Sequence, residues 1–280
     1  MVTSLVLKSL GFNMMNFMMV SNEPEVASLA DSLGVSRIFI DLEINGKQLR
    51  QGHRDTFISA HKMSDVAKVR PFLSNSELLV RLNPLYEGSK IEVDEAIKSG
   101  ADILMLPMFR TAEEVREFSG FIGGRVKFIP LVETKDAALN IADIVKVKGI
   151  TEIFIGLNDL HVEYGLGFMF ELISNGTIDM LVKTIKKSGL PFGFGGVARV
   201  GEGAVPAEIV LAEHLRLSST AVILSRSFRK DGMHDNEFES EINKLKTVIN
   251  DLQQRSQEKI ELDRLSFVNC VQNFVARKCL

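Results

Sequence analysis

Glu133 and Asp159 stand where apolar runs end, in Val126-Lys-Phe-Ile-Pro-Leu-Val-Glu133-Thr134 and Glu152-Ile-Phe-Ile-Gly-Leu-Asn-Asp159-Leu160. Both runs read as buried strands followed by helical stretches. In a repeating β/α chain the strands are parallel, so both carboxylates emerge at one end of the sheet, the end at which such folds build active sites. A third run, Leu78-Leu-Val-Arg81-Leu82, carries an arginine. Two close carboxylates resist ionising together. A divalent cation relieves that repulsion, and hard carboxylate oxygens suit Mg2+ or Mn2+, which keep positions open for water or substrate. The constellation predicts a divalent-metal site for an anionic substrate. Either acid alone also fits a helix start, where carboxylates meet free N–H groups; two acids with an arginine on a third strand favour the site.

Asp41-Leu-Glu43 ends another run. An acid here would orient a metal-bound water or a nearby basic group, or simply bond an arginine or lysine where the strand closes. Arg81, inside an apolar strand, needs a partner. That partner is an acid in the mouth, or a carboxylate or enolate oxygen of a substrate, which its forked donors suit.

Eight apolar runs could position these groups: residues 17–20, 37–42, 78–82, 103–107, 127–132, 153–156, 192–197 and 221–224. Most lack polar alternation, the pattern of strands buried on both faces in a parallel sheet. Helical patterns lie between them at 23–33, 63–73, 93–99, 112–121, 135–147, 179–188 and 207–215. Several end on a glycine placed as a C-cap: Gly34, Gly100, Gly149 and Gly189. Eight strands in this order predict a (β/α)8 TIM barrel over residues 1–230. A dinucleotide-binding sheet would carry Gly-x-Gly-x-x-Gly after its first strand; here the glycine-rich Gly193-Phe-Gly195-Gly196 falls late and inside a strand. Residues 231–280 are charged, with Phe238, Ile242, Leu245, Ile249 and Leu252 at helical spacing and a second apolar pattern after Leu262. They predict a helical C-terminal extension, folded onto its own subunit or packed on a neighbour.

The chain has 280 residues, 45% of them hydrophobic and 25% charged, with a net charge of −3. No basic excess points to nucleic acid and no polybasic run to anionic membranes. Charges interrupt every apolar stretch before the roughly 18 residues of a membrane span. Residues 1–20 lack the charged start and apolar core of a signal peptide. Cys270 and Cys279 are the only cysteines, so a disulfide framework is not expected and a reducing cytoplasmic setting is.

Five motifs in order, Asp41-Leu-Glu43, Val80-Arg81-Leu-Asn83, Gly100-Ala-Asp-Ile-Leu-Met-Leu-Pro107, Leu131-Val-Glu133-Thr and Ile155-Gly-Leu-Asn-Asp159-Leu, together resemble the HpcH/HpaI aldolase and citrate lyase β-subunit family over about residues 20–228. The resemblance implies a (β/α)8 barrel, Mg2+ or Mn2+ on Glu133 and Asp159, Arg81 on the enolate of a pyruvate-like donor, and Glu43 supporting water or base. Gly156 and Asn158, in the last motif, would line the substrate. It also implies a homo-oligomer, a trimer or hexamer. The activity expected is a metal-dependent aldolase acting on a 4-hydroxy-2-oxo acid, with a 2-oxo acid and an aldehyde as partners.

One position departs from the pattern. The aldolases of this family carry a base histidine directly after Asp-x-Glu, where this chain has Ile44. The polar loop that follows offers His53 as the base, with His61 or a metal-bound water as alternatives. No Schiff-base lysine is needed, although Lys47 and Lys135 fall just after strands. Two other readings stay open: a lyase acting on a CoA thioester, and a barrel kept for binding without catalysis.

Overall fold

The computed structural model describes residues 15–46, 60–228 and 234–278. Eight strands close into a parallel barrel in chain order, β1 (Asn16–Val20), β2 (Arg37–Asp41), β3 (Glu77–Arg81), β4 (Ile103–Leu106), β5 (Lys127–Val132), β6 (Ile153–Ile155), β7 (Phe192–Val197) and β8 (Ala221–Leu224), with β8 pairing back onto β1. The expected (β/α)8 barrel is the fold. Outside the strands lie α1 (Pro24–Ser32), α2 (Met63–Val69), α3 (Ser89–Lys98), α4 (Ala112–Ile122), α5 (Lys135–Leu139), α6 (Ile141–Ile144), α7 (Leu157–Glu163), α8 (Glu171–Ser174), α9 (Thr177–Ser188), α10 (Ala207–Leu217), α11 (Asp235–Gln253) and α12 (Gln257–Lys278).

Side chains alternate along a strand, and here the two phases fill two cores. One phase packs between strands and helices: Ile38, Ile40, Leu78, Val80, Leu104, Val132, Ile153 and Ile155. The other fills the barrel with Met18, Phe39, Leu79, Ile103, Met105, Ile129, Leu131, Phe154 and Ala221. This inward phase also decides where charge can sit. Extended downward from Phe39 and Phe154 it reaches Arg37 and Glu152, which form a two-pronged buried ion pair across the barrel floor (2.6 and 3.0 Å). Extended upward along β2, β3 and β5 it reaches Asp41, Arg81 and Glu133.

Helix boundaries follow local chemistry. Thr111 caps α4 through a reciprocal bond pair with Glu114, and Gly189 ends α9 at φ 80°. The single helix expected at 135–147 is two, α5 and α6, because Asn140 leaves helical geometry at their junction and donates its side-chain N–H to the Arg110 carbonyl. Helix α7 is the helical stretch expected after the Asp159 run, though its span is not among those predicted, and it begins early enough to put Asp159 in its first turn and not at the strand end.

The C-terminal segment folds onto its own chain. Helix α11 packs on α10, and its Lys246 donates to the Leu33 carbonyl just past α1. Helix α12 packs on α10 and α8, seating Phe267 and Phe274 against Phe170 and Phe168. Arg264 secures it by bonding the nearly inaccessible Glu213 (2.8 Å) and the carbonyls of Ile173 and Ser174. Phe168 and Phe170 are buried in this packing. No helix among the described residues is long and apolar enough to cross a membrane.

His214 on α10 is wholly buried and stacks on Phe194 (3.8 Å, 6°). Its Nδ1 meets the Ser219 hydroxyl at 3.0 Å, while Nε2 has no hydrogen-bond partner among the described residues. Burial pushes its pKa down to about 3. The unfolded chain takes up this proton near pH 6.5 and the folded chain does not, so the neutral ring's contribution is complete above that pH and is lost as pH falls toward 3. The amount at stake is on the order of 4–5 kcal/mol. In urea unfolding at pH 7 down to 4, the stability advantage of the native protein over His214→Leu should shrink by about 1.4 kcal/mol per pH unit below pH 6.

Candidate active site at the barrel mouth

Arg81 is the hub of the mouth. Its Nε and Nη2 bond the two oxygens of Asp41 (2.8 and 2.9 Å), and Nη2 also faces Glu43 Oε2 at 3.4 Å. The pairing follows from register: Asp41 lies directly across from Arg81 in the β2–β3 ladder. Burial works against the guanidinium charge, but Asp41, then Glu43 and Glu133, outweigh it and hold its pKa above the ordinary value. Nη1 makes none of these contacts and is the nitrogen left for a ligand.

Glu133, one residue past β5, is 2% exposed. One oxygen accepts the Met108 N–H at 3.1 Å. Burial raises its pKa well above the usual carboxylate range; Arg81 opposes this, while Glu43 and Asp159 add to it. Asp159 is thus near enough to Glu133 to be felt electrostatically, from the first turn of α7. The two lie on successive β/α units.

Gly156 makes room for this arrangement. A Cβ there would lie 2.8 Å from Glu133 Oε2 and 2.9 Å from its Cβ. Its own backbone, φ −85° and ψ 93°, suits any residue, so the requirement for glycine is one of space. Gly156→Ala should displace the Glu133 carboxylate and weaken Mn2+ binding at least about tenfold, with a stability loss of about 1–3 kcal/mol from overpacking; calorimetric titration and thermal melts would read the two separately.

The other expected residues divide. Glu43 is buried against Arg81. Asn158 is exposed in the first turn of α7. His53, with Lys47, lies outside the described residues. Ile44 is 59% exposed, and its N–H and that of Asn45 both donate to Asn83 Oδ1 (3.0 Å each). Asn83 is in turn held by Glu92 at 2.6 Å. Nothing in the residue types alone singled out this Asn83–Glu92 brace under the β2 loop, although Asn83 lies in one of the quoted motifs. His61 Nδ1 accepts the Asp41 N–H at 3.1 Å, which commits the neutral ring to carrying its proton on Nε2. Lys135 is held over the Tyr164 ring (5.6 Å). His161 bonds back to the Leu157 carbonyl, and Arg199 donates to the Phe228 carbonyl, tying the loop after β7 to the segment after β8.

Among the described residues no three His, Cys, Asp or Glu side chains form a cage for a metal. The candidate donors are the two carboxylates Glu133 and Asp159, hard oxygens of the kind that suit Mg2+ or Mn2+ when substrate and water would complete the sphere. The charge balance fits a cation: three carboxylates, Asp41, Glu43 and Glu133, act on one guanidinium, and Asp159 adds a fourth negative charge felt by Glu133.

No curated protein matches the sequence. Solved structures with the same fold include a HpcH/HpaI aldolase/citrate lyase family protein from Burkholderia cenocepacia (TM-score 0.61, 14% identity, covering 90% of this chain and 100% of that one). A citrate lyase β subunit from M. tuberculosis, complexed with oxaloacetate and magnesium, aligns at TM-score 0.59 and 16% identity over 86% of this chain and 98% of its own. The citrate synthase SbnG aligns at 0.60 and 14% over 86% and 96%. At these identities the likeness is one of fold. The sequence itself matches the model of the HpcH/HpaI aldolase/citrate lyase family across residues 17–168, more than half of the chain, and with the ordered motifs at the mouth this protein belongs to that family of aldolases and lyases.

Proposed function

We propose that this protein is a divalent-metal-dependent carbon–carbon lyase that forms or cleaves a 4-hydroxy-2-oxo acid, through the enolate of pyruvate or a close 2-oxo acid and an aldehyde. The observation that carries the reading is the cluster at the mouth, with Arg81 clasped by Asp41 and Glu43 beside the buried Glu133, whose carboxyl feels the charge of Asp159. Glu133 and Asp159 would hold Mg2+ or Mn2+, which when bound polarises the ketone of the 2-oxo acid.

The chain's own residues do the rest. Arg81, held rigid by its two acids, adds fixed positive charge where the enolate oxygen becomes negative, and it need not reorganise to do so. Glu43 completes that clasp. Gly156 and Asn158 border the substrate, and His53 is the base in this proposal, since His61 has its Nδ1 lone pair committed to Asp41.

The test is methyl-proton exchange of pyruvate in D2O, followed by NMR, with Mn2+ or Mg2+ and with EDTA. Metal-dependent exchange is the expected result. Metal binding without exchange would replace pyruvate by another donor, such as an acyl-CoA thioester. Neither binding nor exchange would overturn the reading in favour of a barrel kept for binding.

A further inference from the structure

Three consecutive residues after β4 each grip the next β/α units. Met108, at φ 54° in the left-handed region, donates its N–H to Glu133. The Phe109 carbonyl accepts from the buried Thr134 hydroxyl at 2.7 Å. Arg110 then spans outward, with Nη1 bonded to Asp136 Oδ2 at 2.7 Å and Nη2 to Glu163 Oε1 at 3.1 Å. Its carbonyl accepts from Asn140, and the second oxygen of Glu163 accepts the Lys135 N–H.

The partners of Arg110 occupy telling places. Asp136 is in the first turn of α5, three residues past Glu133; Glu163 ends α7, four residues past Asp159. One guanidinium therefore joins the helix that follows Glu133 to the helix that carries Asp159. Arg110 is 46% and Asp136 54% exposed on their side chains, and ion pairs this exposed add little to folding stability. Their geometry, however, bears on the distance between two carboxylates that must share one ion, and outer-sphere partners of metal ligands typically change affinity 10–100-fold.

We propose that Arg110 is a positioning residue: by bridging Asp136 and Glu163 it sets the separation of Glu133 from Asp159. This role rests on the reading of those two carboxylates as metal ligands.

Mn2+ affinity, read from the EPR signal of the free ion, tests it alongside thermal melting of the same samples. Arg110→Ala should weaken Mn2+ binding about 10–100-fold. Arg110→Lys, which keeps the charge but cannot fork to both partners, should stay closer to the alanine variant than to the native protein. Glu163→Gln, which leaves the Asp136 contact, should weaken binding by a smaller factor. Arg125→Ala, which breaks the exposed pair with Asp94 (2.6 Å) beyond α4, should leave affinity unchanged. All four should melt within a few degrees of the native protein. Native affinity in Arg110→Ala, with binding abolished in Glu133→Gln, would overturn the positioning role and leave the metal site standing. Should Arg110→Ala fail to fold, unchanged affinity in Glu163→Gln would overturn it equally. Absence of Mn2+ binding by the native protein would overturn the metal reading and this role with it.

Discussion

Glu133→Gln should abolish Mn2+ binding and bring metal-dependent exchange of pyruvate down to the EDTA background, a fall of at least about a thousandfold, of the order seen when an electrostatic group at a reacting centre is removed. The substitution is nearly isosteric, and the Met108 N–H that meets Glu133 at 3.1 Å can still donate to an amide oxygen, so the barrel should hold its shape. Stability should move the other way. Burial and the neighbouring Glu43 and Asp159 keep the Glu133 pKa well above its ordinary value. Unfolding releases its proton near pH 4.5, and folding must retain it or bear a buried charge, so native stability declines as pH rises from about 4.5 toward the folded pKa. Without metal at pH 8, the glutamine variant should therefore melt above the native protein. Added Mn2+ should raise the melting temperature of the native protein alone, and that affinity should increase with pH as the ion displaces the proton. Loss of exchange with Mn2+ affinity intact would remove Glu133 from the ligand set.

Arg81→Met should be the most damaging substitution for both folding and chemistry. Asp41 and Glu43 are 7% and 1% exposed, and without the guanidinium they are buried acids facing Glu133. Breaking a buried pair by deleting one partner costs about 3–5 kcal/mol, a large share of a domain's stability. Arg81→Lys separates the two effects. It keeps a positive charge for the acids, so most of the stability should return, but an ammonium cannot hold both Asp41 oxygens and still offer a third nitrogen. Exchange in the lysine variant should remain about a hundredfold or more below native, with Mn2+ affinity within a few-fold. Native exchange rates in Arg81→Lys would assign the arginine to folding alone.

Much of this architecture could be read from residue order. The unbroken apolar runs set parallel strands buried on both faces, and three of them, β5, β7 and β8 apart from small shifts elsewhere, match the expected spans residue for residue. Strand alternation places Asp41 in phase with Phe39 and Glu133 in phase with Leu131, so inward direction is already implicit in the sequence. Family motifs in order carried the assignment of Glu133, Asp159 and Arg81.

Tertiary structure decided what alternation cannot state, namely which inward residues meet. Asp41 became the partner of Arg81 because β2 and β3 pair in that register. Gly156, expected from its motif to line the substrate, turns out to make room for a neighbour, since the adjacent β5 brings the Glu133 carboxylate within 2.8 Å of where its Cβ would be. Asp159 moved onto a helix, since Leu157-Asn-Asp-Leu is too short to reveal its period beside a strand. The bridge from Arg110 to Asp136 and Glu163 joins positions 26 and 53 residues away along the chain. Such contacts depend on loop conformation and barrel closure, so residue type and spacing determined the fold and pointed to the candidate carboxylates, while the closed barrel alone determined what surrounds them.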